Sequence, residues 1–242
     1  MTDTVLLNNI DHSDLRVITR HGPEFGDSVN QLLVFPTEFE SVQREYPIFL
    51  RKDEVGDYQP VALLGLDRDE NLFLDGAGWQ ARYVPAIRRR GPFSIALQDA
   101  HRNGRPRARP KIHIDLGDPR VSREEGTRLF LPHGGSTPYL EHVTRVLQTI
   151  YEGSRLIAPM IVAFRELGLI RETEVEVRLA DGVTYRLPDH HTIDEDRLAE
   201  LDGVELKYLS RLGFLRAAFL LGSSLGNMSR LIELKNRLGE GG

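Results

Sequence analysis

Short apolar runs alternate with turn signals through the first half of the chain, from Gln31 to Leu97. Each run is too short for a helix and is bounded by Gly, Asp or Pro, which favours strands. The links are also short, and such links join antiparallel strands, because a parallel crossover needs about a dozen residues or more. The runs occupy residues 32–35, 47–50, 61–64, 72–74, 82–84 and 94–97. The pattern predicts a strongly curved antiparallel sheet or partial barrel on residues 31–116.

One short helix interrupts this strand pattern. Thr37 and Glu40 have the T-x-x-E spacing of a capping box, in which the hydroxyl and the carboxylate each bind a free backbone amide. The spacing predicts a helix that begins with Thr37 as its N-cap. Pro47 ends it, because the residue before a proline avoids helical backbone angles.

Helical spacing replaces the strand pattern in the second half of the chain. Thr137 and Pro138 suit the N-cap and the first position of a helix, and apolar residues recur at helical spacing over residues 140–150. Pro159 either kinks this helix or begins a second one. A longer apolar helix follows from about residue 204. Its density of apolar residues indicates burial on more than one side.

A β-hairpin lies between these helices. Residues 173–179 alternate between apolar and charged side chains, Asp181 and Gly182 form a turn signal, and residues 183–187 return with the same alternation. The whole pattern predicts an α+β fold, with an antiparallel β-rich part at residues 31–131 and a helical part at residues 132–242. Residues 1–30 read as an N-terminal arm that adds edge strands and carries solvated histidines at His12 and His21. We expect one integrated domain with a soft boundary near Pro132.

Composition excludes several classes of site. The 242 residues include no cysteine, which removes disulfides, thiolate catalysis and cysteine-based zinc sites. A net charge of −5 argues against a general nucleic-acid binder. The N-terminus lacks a basic region followed by an apolar region, and no apolar run reaches the ~18 residues of a membrane span. The sequence therefore predicts a cytoplasmic protein without a membrane span.

A basic interval follows the strand pattern. It begins with Arg88, Arg89 and Arg90 and continues to Lys111. Its other arginines are Arg102, Arg105, Arg107 and Arg109. One interpretation is an exposed loop, because like-charge runs are commonly solvated. The other is an anion site for a carboxylate, a phosphate or an acidic partner surface. Tyr58 and Trp79, near predicted loop tips, are aromatic candidates for the same partner surface or for ordinary packing.

An H-x-D pair raises a different possibility. His113 and Asp115 lie on one face of a predicted strand, and non-heme iron oxygenases use such a pair with a distal histidine. His190 or His191 would be the distal ligand, and Arg197 would hold the carboxylate of a 2-oxoacid. Both histidines follow Pro188 in a predicted loop, whereas the distal histidine of these oxygenases lies on a strand. The ordinary interpretation is that both side chains belong to the polar face of a sheet. We therefore expect no cofactor, and Fe(II) with a 2-oxoacid is the alternative.

Several short motifs in a fixed order resemble the SapC-like family of bacterial proteins. They lie at residues 35–36, 45–48, 59–66, 70–73, 82–85, 91–93 and 114–115, and the resemblance continues through the helical part. The resemblance implies a link to the bacterial surface layer and no particular chemistry. We therefore expect a non-enzymatic binding or accessory protein of surface-layer or nutrient-uptake biology, with a protein or acidic partner. The alternatives are the iron-dependent oxygenase and a structural subunit that forms homo-oligomers through its C-terminal helices.

Overall fold

The α+β class is confirmed by a computed structural model that describes residues 3–102 and 105–240, without the side chains of residues 97–110 and 240. The helices are α1 (Phe39–Val42), α2 (Ala86–Arg89), α3 (Pro138–Glu166), α4 (Glu195–Ala199), α5 (Gly203–Leu212), α6 (Phe214–Ser224) and α7 (Met228–Glu240). The strands are β1 (Thr4–Leu6), β2 (Arg16–Val17), β3 (Gln31–Leu33), β4 (Ile48–Lys52), β5 (Tyr58–Leu63), β6 (Leu74–Asp75), β7 (Gly78–Trp79), β8 (Phe93–Arg102), β9 (Arg105–Asp115), β10 (Val121–Ser122), β11 (Thr127–Arg128), β12 (Ile170–Arg178) and β13 (Thr184–Ile193). No helix within the described ranges is long and apolar enough to cross a membrane.

A five-stranded antiparallel sheet takes strands from both sides of the boundary predicted near Pro132. Its order is β12-β13-β4-β5-β3. The predicted hairpin is confirmed as β12 and β13, which turn at Asp181 and Gly182. The hairpin joins the other three strands where His190 and His191 pair with Arg51 and Leu50. The larger hydrophobic core lies against this sheet and includes Phe49, Leu63, Phe164, Ala218 and Leu221.

The other strands form separate open sheets. One has the order β1-β9-β8 and another the order β10-β2-β11, while β6 and β7 pair as a ribbon. A second core contains Val17, Phe93, Ile114 and Leu129. The strands of residues 31–116 are therefore divided between sheets. The N-terminal arm contributes β1 and β2, as predicted, yet β2 lies between two neighbours rather than at an edge.

The strand predicted at residues 82–84 is wrong. The backbone amides of Arg82 and Tyr83 donate to the carboxylate of Glu45, at 3.1 and 3.0 Å, and the Tyr83 carbonyl accepts from the hydroxyl of Tyr46 at 2.5 Å. These backbone groups bind side chains, so this segment joins no strand ladder in the described residues.

The basic interval is not a loop, because Arg88 and Arg89 lie in α2 and most of the remaining residues lie in the paired strands β8 and β9. The backbones of β8 and β9 pair antiparallel from Phe93 with Ile114 to Arg102 with Arg105. The sequence indicates a loop here because β9 contains two prolines, Pro106 and Pro110. They are tolerated because β1 pairs with β9 only from His113 onward, which leaves the outer edge of the proline-bearing part unpaired in the described residues.

Helix α3 is continuous over 29 residues and begins as predicted. The hydroxyl of Thr137 accepts from the Leu140 amide at 3.3 Å, and Pro138 occupies the first turn. Pro159 lies inside the helix and does not end it. The first half of α3 packs into the second core and the last half into the larger core, so one helix connects both cores.

The short helix after β3 begins earlier than predicted. A 3₁₀ turn at Pro36–Glu38 precedes α1, and the Glu38 carboxylate reaches back to the Phe35 amide at 3.2 Å. Thr37 is not the N-cap, because its hydroxyl donates to the Thr149 carbonyl of α3 at 2.9 Å. A tertiary hydrogen bond to α3 therefore replaces the local N-cap hydrogen bond that the sequence predicts for Thr37.

Candidate functional site

A cavity of about 390 Å³ lies between α2, the start of α3 and the strands β2 and β11. We call it the arginine cavity, because four arginines and two histidines contribute to its wall. It is lined by Ile18, Thr19, Arg20, His21, Arg88, Arg89, Gly91, Arg120, Thr127, Tyr139 and His142. Among the residues that the structure describes, no Asp or Glu lines it. A concave surface with charges of one sign raises the local concentration of ions of the other sign.

A buried carboxylate lies behind this wall. Asp27 is fully buried, and its Oδ2 atom is 3.1 Å from His21 Nδ1 and accepts from the Gly22 amide at 3.0 Å. Its Oδ1 atom lies 3.4 Å from Arg120 and 3.8 Å from Arg88. Burial raises the pKa of Asp27, but the hydrogen bonds from His21 and Gly22 and the charge of Arg120 outweigh it, so the pKa is lowered. An ionised Asp27 therefore holds three cationic or hydrogen-bonding side chains in place.

The two arginines around Asp27 differ in how fully they are bound. Arg120 also donates to the Phe25 carbonyl at 2.8 Å and lies 3.5 Å from Asp118. Arg88 has only the 3.8 Å ion pair with Asp27, and its buried Nε atom has no hydrogen-bond partner in the described part of the chain. Arg120 is thus a structural cation as well as a wall residue, whereas Arg88 keeps donors available.

Arg89 is held from the opposite side by a chain of hydrogen bonds. Its Nη2 atom donates to the Tyr83 hydroxyl at 2.5 Å, and its guanidinium stacks over the Tyr83 ring at 4.3 Å. The Tyr83 hydroxyl donates to the buried Glu38 carboxylate at 2.7 Å. Burial and the charge of Glu38 raise the pKa of Tyr83, which keeps the phenol protonated. The position of Arg89 is therefore fixed before any ligand binds.

The first turns of α3 supply the remaining wall. Burial raises the pKa of Tyr139 to about 12, against the opposing charge of Arg120. Burial and the charges of Arg89 and Arg145 lower the pKa of His142, so its imidazole is mainly neutral near pH 7. Guanidinium, imidazole and hydroxyl donors therefore converge on one cavity, and such donors bind oxyanions.

The structure divides the arginines that the sequence singled out. Arg88 and Arg89 line the arginine cavity, while Arg90 donates to the Phe93 carbonyl at 2.8 Å. The side chains of Arg102, Arg105, Arg107 and Arg109 lie outside the described ones, so their predicted role stays a prediction.

The predicted metal ligands lie in different sheets. His113 and Asp115 are on β9 in the sheet with β1 and β8, whereas His190 is on β13 in the five-stranded sheet. His190 is 2% exposed and packs edge-on against Phe49. The loop predicted for His190 and His191 is wrong, because both lie within a strand. Within the described ranges, no group of three or more His, Asp or Glu side chains could hold a metal ion.

Both aromatic candidates are half-buried. Trp79 donates from Nε1 to the Tyr46 hydroxyl at 2.8 Å and packs edge-on against His21, with 5.4 Å between ring centroids. Tyr58 packs edge-on against His191 at 4.9 Å. Trp79 therefore contacts a residue of the arginine cavity without lining the cavity itself. A partner contact at either residue stays a prediction.

A second cavity, of about 480 Å³, has a different electrostatic character. It is lined by Ser41, Arg44, Glu45, Gln80, Arg82, Tyr83 and Arg230. Glu45 is part of its wall, and Arg230 donates to that carboxylate at 3.2 Å. Arg44 pairs with Glu40 at 3.2 Å. Because the Glu45 carboxylate itself lines this cavity and would repel a bound anion, the cavity is a weaker anion site than the arginine cavity.

The C-terminal helices expose some apolar side chains. Leu212 is 43% exposed and Phe219 is 57% exposed. The opposite faces of these helices are buried, with Leu209 and Leu221 fully inaccessible. The predicted homo-oligomer through these helices stays a prediction.

Sequence reasoning missed most of the cavity wall. His12 and His21 were expected to be solvated, but His12 is 8% exposed and His21 is paired with Asp27. The reason is tertiary, because Arg120, Tyr139 and His142 come from distant segments and share no motif with His21. The run of arginines is the one local signal, and two members of that run, Arg88 and Arg89, line the cavity.

Fold and site together define an α+β protein with a basic, arginine-lined cavity. The family model described as SapC matches residues 7–231, so the chain belongs to the SapC family. The resemblance seen in the sequence is therefore confirmed. Comparison with curated proteins finds no match, and comparison with solved structures finds none either.

Proposed function

We propose that this SapC-family protein is a non-enzymatic binding protein that holds an anionic group of its ligand or partner in the arginine cavity. The carrying observation is the wall itself, which presents Arg88, Arg89 and Arg120 without a carboxylate among the described lining residues. The context, an accessory role in bacterial surface-layer or nutrient-uptake biology, comes from the family resemblance and is part of the proposal.

Pre-organisation supports a binding role. Asp27 fixes His21 and Arg120, and Tyr83 fixes Arg89, so the donors are already in position. Side chains that are ordered before binding lose less conformational entropy when the ligand arrives, which raises affinity. Asp27 also holds Arg88 by a 3.8 Å ion pair, and no hydrogen bond of the Arg88 guanidinium is found in the described residues, so its loss should weaken binding most directly.

Titration of the full chain with small anions tests this function. Citrate and inorganic phosphate would be added at constant ionic strength while the fluorescence of Trp79, the single tryptophan, is recorded. Trp79 contacts His21, so an occupied cavity should change its emission. We expect saturable binding that weakens at least about tenfold in the double variant Arg88→Gln/Arg89→Gln, because charge-assisted hydrogen bonds are lost.

Arg211→Gln is the matched control, because Arg211 is exposed on α5 and lies outside the cavity. It removes the same charge and should leave binding unchanged. If neither anion binds the wild-type chain, or if the double variant binds as the wild type does, the proposed function is wrong.

The other half of the basic interval has its own test. The triple variant Arg105→Gln/Arg107→Gln/Arg109→Gln should weaken capture of an acidic partner and its salt sensitivity, if the hairpin is a partner surface as the sequence predicts. The same variant should keep small-anion binding, since the cavity is built from other residues. Loss of small-anion binding in this variant would move the site from the cavity to the hairpin.

A further inference from the structure

The donors of the arginine cavity approach it from several directions. Arg88 and Arg89 come from α2, His21 from the loop after β2, and Tyr139 and His142 from α3. A carboxylate accepts hydrogen bonds in one plane, and a single arginine fork can satisfy it. Donors that surround a volume are matched instead by a group whose oxygens point in several directions.

Several of these donors have no partner inside the described part of the chain. Beyond the 3.8 Å ion pair of Arg88 with Asp27, no hydrogen bond of the Arg88 guanidinium, the Tyr139 hydroxyl or the His142 ring is found among the described residues. Donors that line a cavity and have no partner within the protein are available to an acceptor that enters the cavity. A ligand with three or more acceptor oxygens would occupy the donors that face the cavity.

We propose that the anionic group taken by the arginine cavity is a phosphoryl group, carried by a phosphate monoester or by inorganic phosphate. This inference rests on the proposed function and names its ligand class. A phosphoryl group has three strong acceptor oxygens and a charge near −2 at neutral pH, which matches Arg88 and Arg89 in charge. The cavity, at about 390 Å³, falls in the range of small-molecule sites, which leaves room for the organic part of an ester.

Asp27 acts here as a positioning residue. It contacts His21, Arg120 and Arg88 from behind the wall, so it orients donors without lining the cavity. Its carboxylate is occupied by these groups and does not repel a bound anion at close range. In other binding sites too, the side chains that contact the ligand are oriented by hydrogen bonds to residues behind them.

Calorimetry with matched probes tests the ligand class. The full chain would be titrated with glycerol 3-phosphate, inorganic phosphate and malonate at pH 8 and constant ionic strength, where all three carry about two negative charges. We expect at least one of the two phosphoryl probes to bind about tenfold or more tightly than malonate. Tighter binding of the ester would identify an esterified ligand, and tighter binding of the ion would identify free phosphate.

Two substitutions assign that binding to the cavity. Arg88→Gln should weaken binding of the phosphoryl probe at least about tenfold, and Arg211→Gln should leave that binding unchanged. Arg88→Lys keeps the positive charge beside Asp27 and is the second variant if Arg88→Gln fails to fold. It should still weaken binding several-fold, because a lysine cannot replace the planar fork of an arginine.

The outcomes separate the two proposals. If malonate binds as tightly as the phosphoryl probes and depends on Arg88, the phosphoryl inference is wrong and the anion-binding function stands. If no probe binds, both are wrong. If a phosphoryl probe binds but neither Arg88 variant weakens it, the cavity is not its site and the inference also fails.

Discussion

Glu38 shows how a single side chain can serve structure and site at once. Glu38 is 3% exposed, and its carboxylate accepts from the Phe35 amide, the Ala86 amide and the Tyr83 hydroxyl. Burial raises the pKa of Glu38, and these three hydrogen bonds only partly oppose that rise. Because Tyr83 also holds Arg89, the carboxylate is connected to the arginine cavity through one hydroxyl.

Replacement of this carboxylate should give a stability difference that depends on pH. The raised pKa means that the native state binds the proton of Glu38 more tightly than the unfolded state does. This stabilisation is complete below the ordinary value of 4.5 and is lost as pH rises through the raised pKa. At pH 4.5 we expect Glu38→Gln to be about 1 to 3 kcal/mol less stable, because its amide nitrogen faces a backbone donor. The difference should narrow toward pH 8.

Urea unfolding of both proteins across this pH range measures the effect. Glu40→Gln is the control, since the Glu40 side chain is 51% exposed and its ion pairs lie on the surface. That variant should stay within about 1 kcal/mol of the wild type at every pH. The prediction is wrong if the stability difference between Glu38→Gln and the wild type increases as pH rises.

At the residue level, the sequence indicates the basic site only through a local signal. The consecutive arginines at Arg88 and Arg89 announce a basic site, and both line the cavity. His21 and Asp27 carry no such signal, because their roles depend on Arg120, which is about a hundred residues away in the chain. The wall of a cavity assembled from distant segments cannot be deduced from any one of them.

At the scale of the elements, α3 is shaped by its contacts. A Cβ added at Gly153 would overlap the Thr37 hydroxyl and would lie 2.5 Å from Phe35 Cβ. The helix therefore crosses the 3₁₀ turn at Pro36–Glu38 at a distance that only glycine permits. The glycine that weakens the helix in isolation is what allows it to pack.

Gly153→Ala should destabilise the protein although alanine is the better helix former. Alanine contributes about 1 kcal/mol of helix propensity over glycine. The overlap with Phe35 and Thr37 forces a backbone shift, and overpacking of this kind costs about 1 to 3 kcal/mol. We expect a net loss of stability by urea unfolding.

The comparison variant is Gly239→Ala, near the end of α7, where a Cβ would have no neighbour within 4 Å. It should be neutral or slightly more stable than the wild type. A Gly153→Ala protein as stable as Gly239→Ala would mean that the turn moves freely and that the close approach has no cost.

Elements were predictable where their own residues specify them. The hairpin of β12 and β13 and the start of α3 at Thr137 follow from alternation, turn and capping signals. The pairing of β8 with β9 was missed because Pro106 and Pro110 are typical of loops, and only the unpaired edge makes them compatible with a strand.

At the scale of the whole molecule, the C-terminal helices are fastened to the first half of the chain. Lys235 of α7 lies 2.6 Å from Asp67 and 2.5 Å from Glu70, and its side chain is 15% exposed. Ser224 accepts from the Ile48 amide at 2.9 Å. Burial lowers the pKa of Lys235, but the hydrogen bonds to both carboxylates outweigh it and raise the pKa. The ammonium therefore stays charged wherever the fold is stable.

Lys235→Gln should loosen this attachment. The variant leaves Asp67 and Glu70 close together without the shared cation, and we expect a loss of about 1 to 2 kcal/mol, measured by thermal and urea unfolding. Salt should reduce the loss by screening the two carboxylates. Lys207→Gln, at an exposed position of α5, should change nothing measurable. Equal stability of the two variants would show that the ion pairs do not hold the helix.

Global topology was the least predictable level. The α+β class follows from the two kinds of periodicity, and it is confirmed. The pairing of β13 with β4 joins residues more than a hundred positions apart through two residue pairs, His190 with Arg51 and His191 with Leu50. Nothing local in either strand encodes its partner, so the division of strands between sheets had to come from the structure.

Helix α3 has a consequence for how the protein loses its structure. Its Leu140, Val143 and Leu147 belong to one core, and its Met160 and Phe164 belong to the other. Neither core can open fully without breaking part of a helix that the other core still holds. Amide hydrogen exchange should therefore be slowest along the buried length of α3 and similar on both sides of Gly153, and calorimetry should record a single cooperative transition.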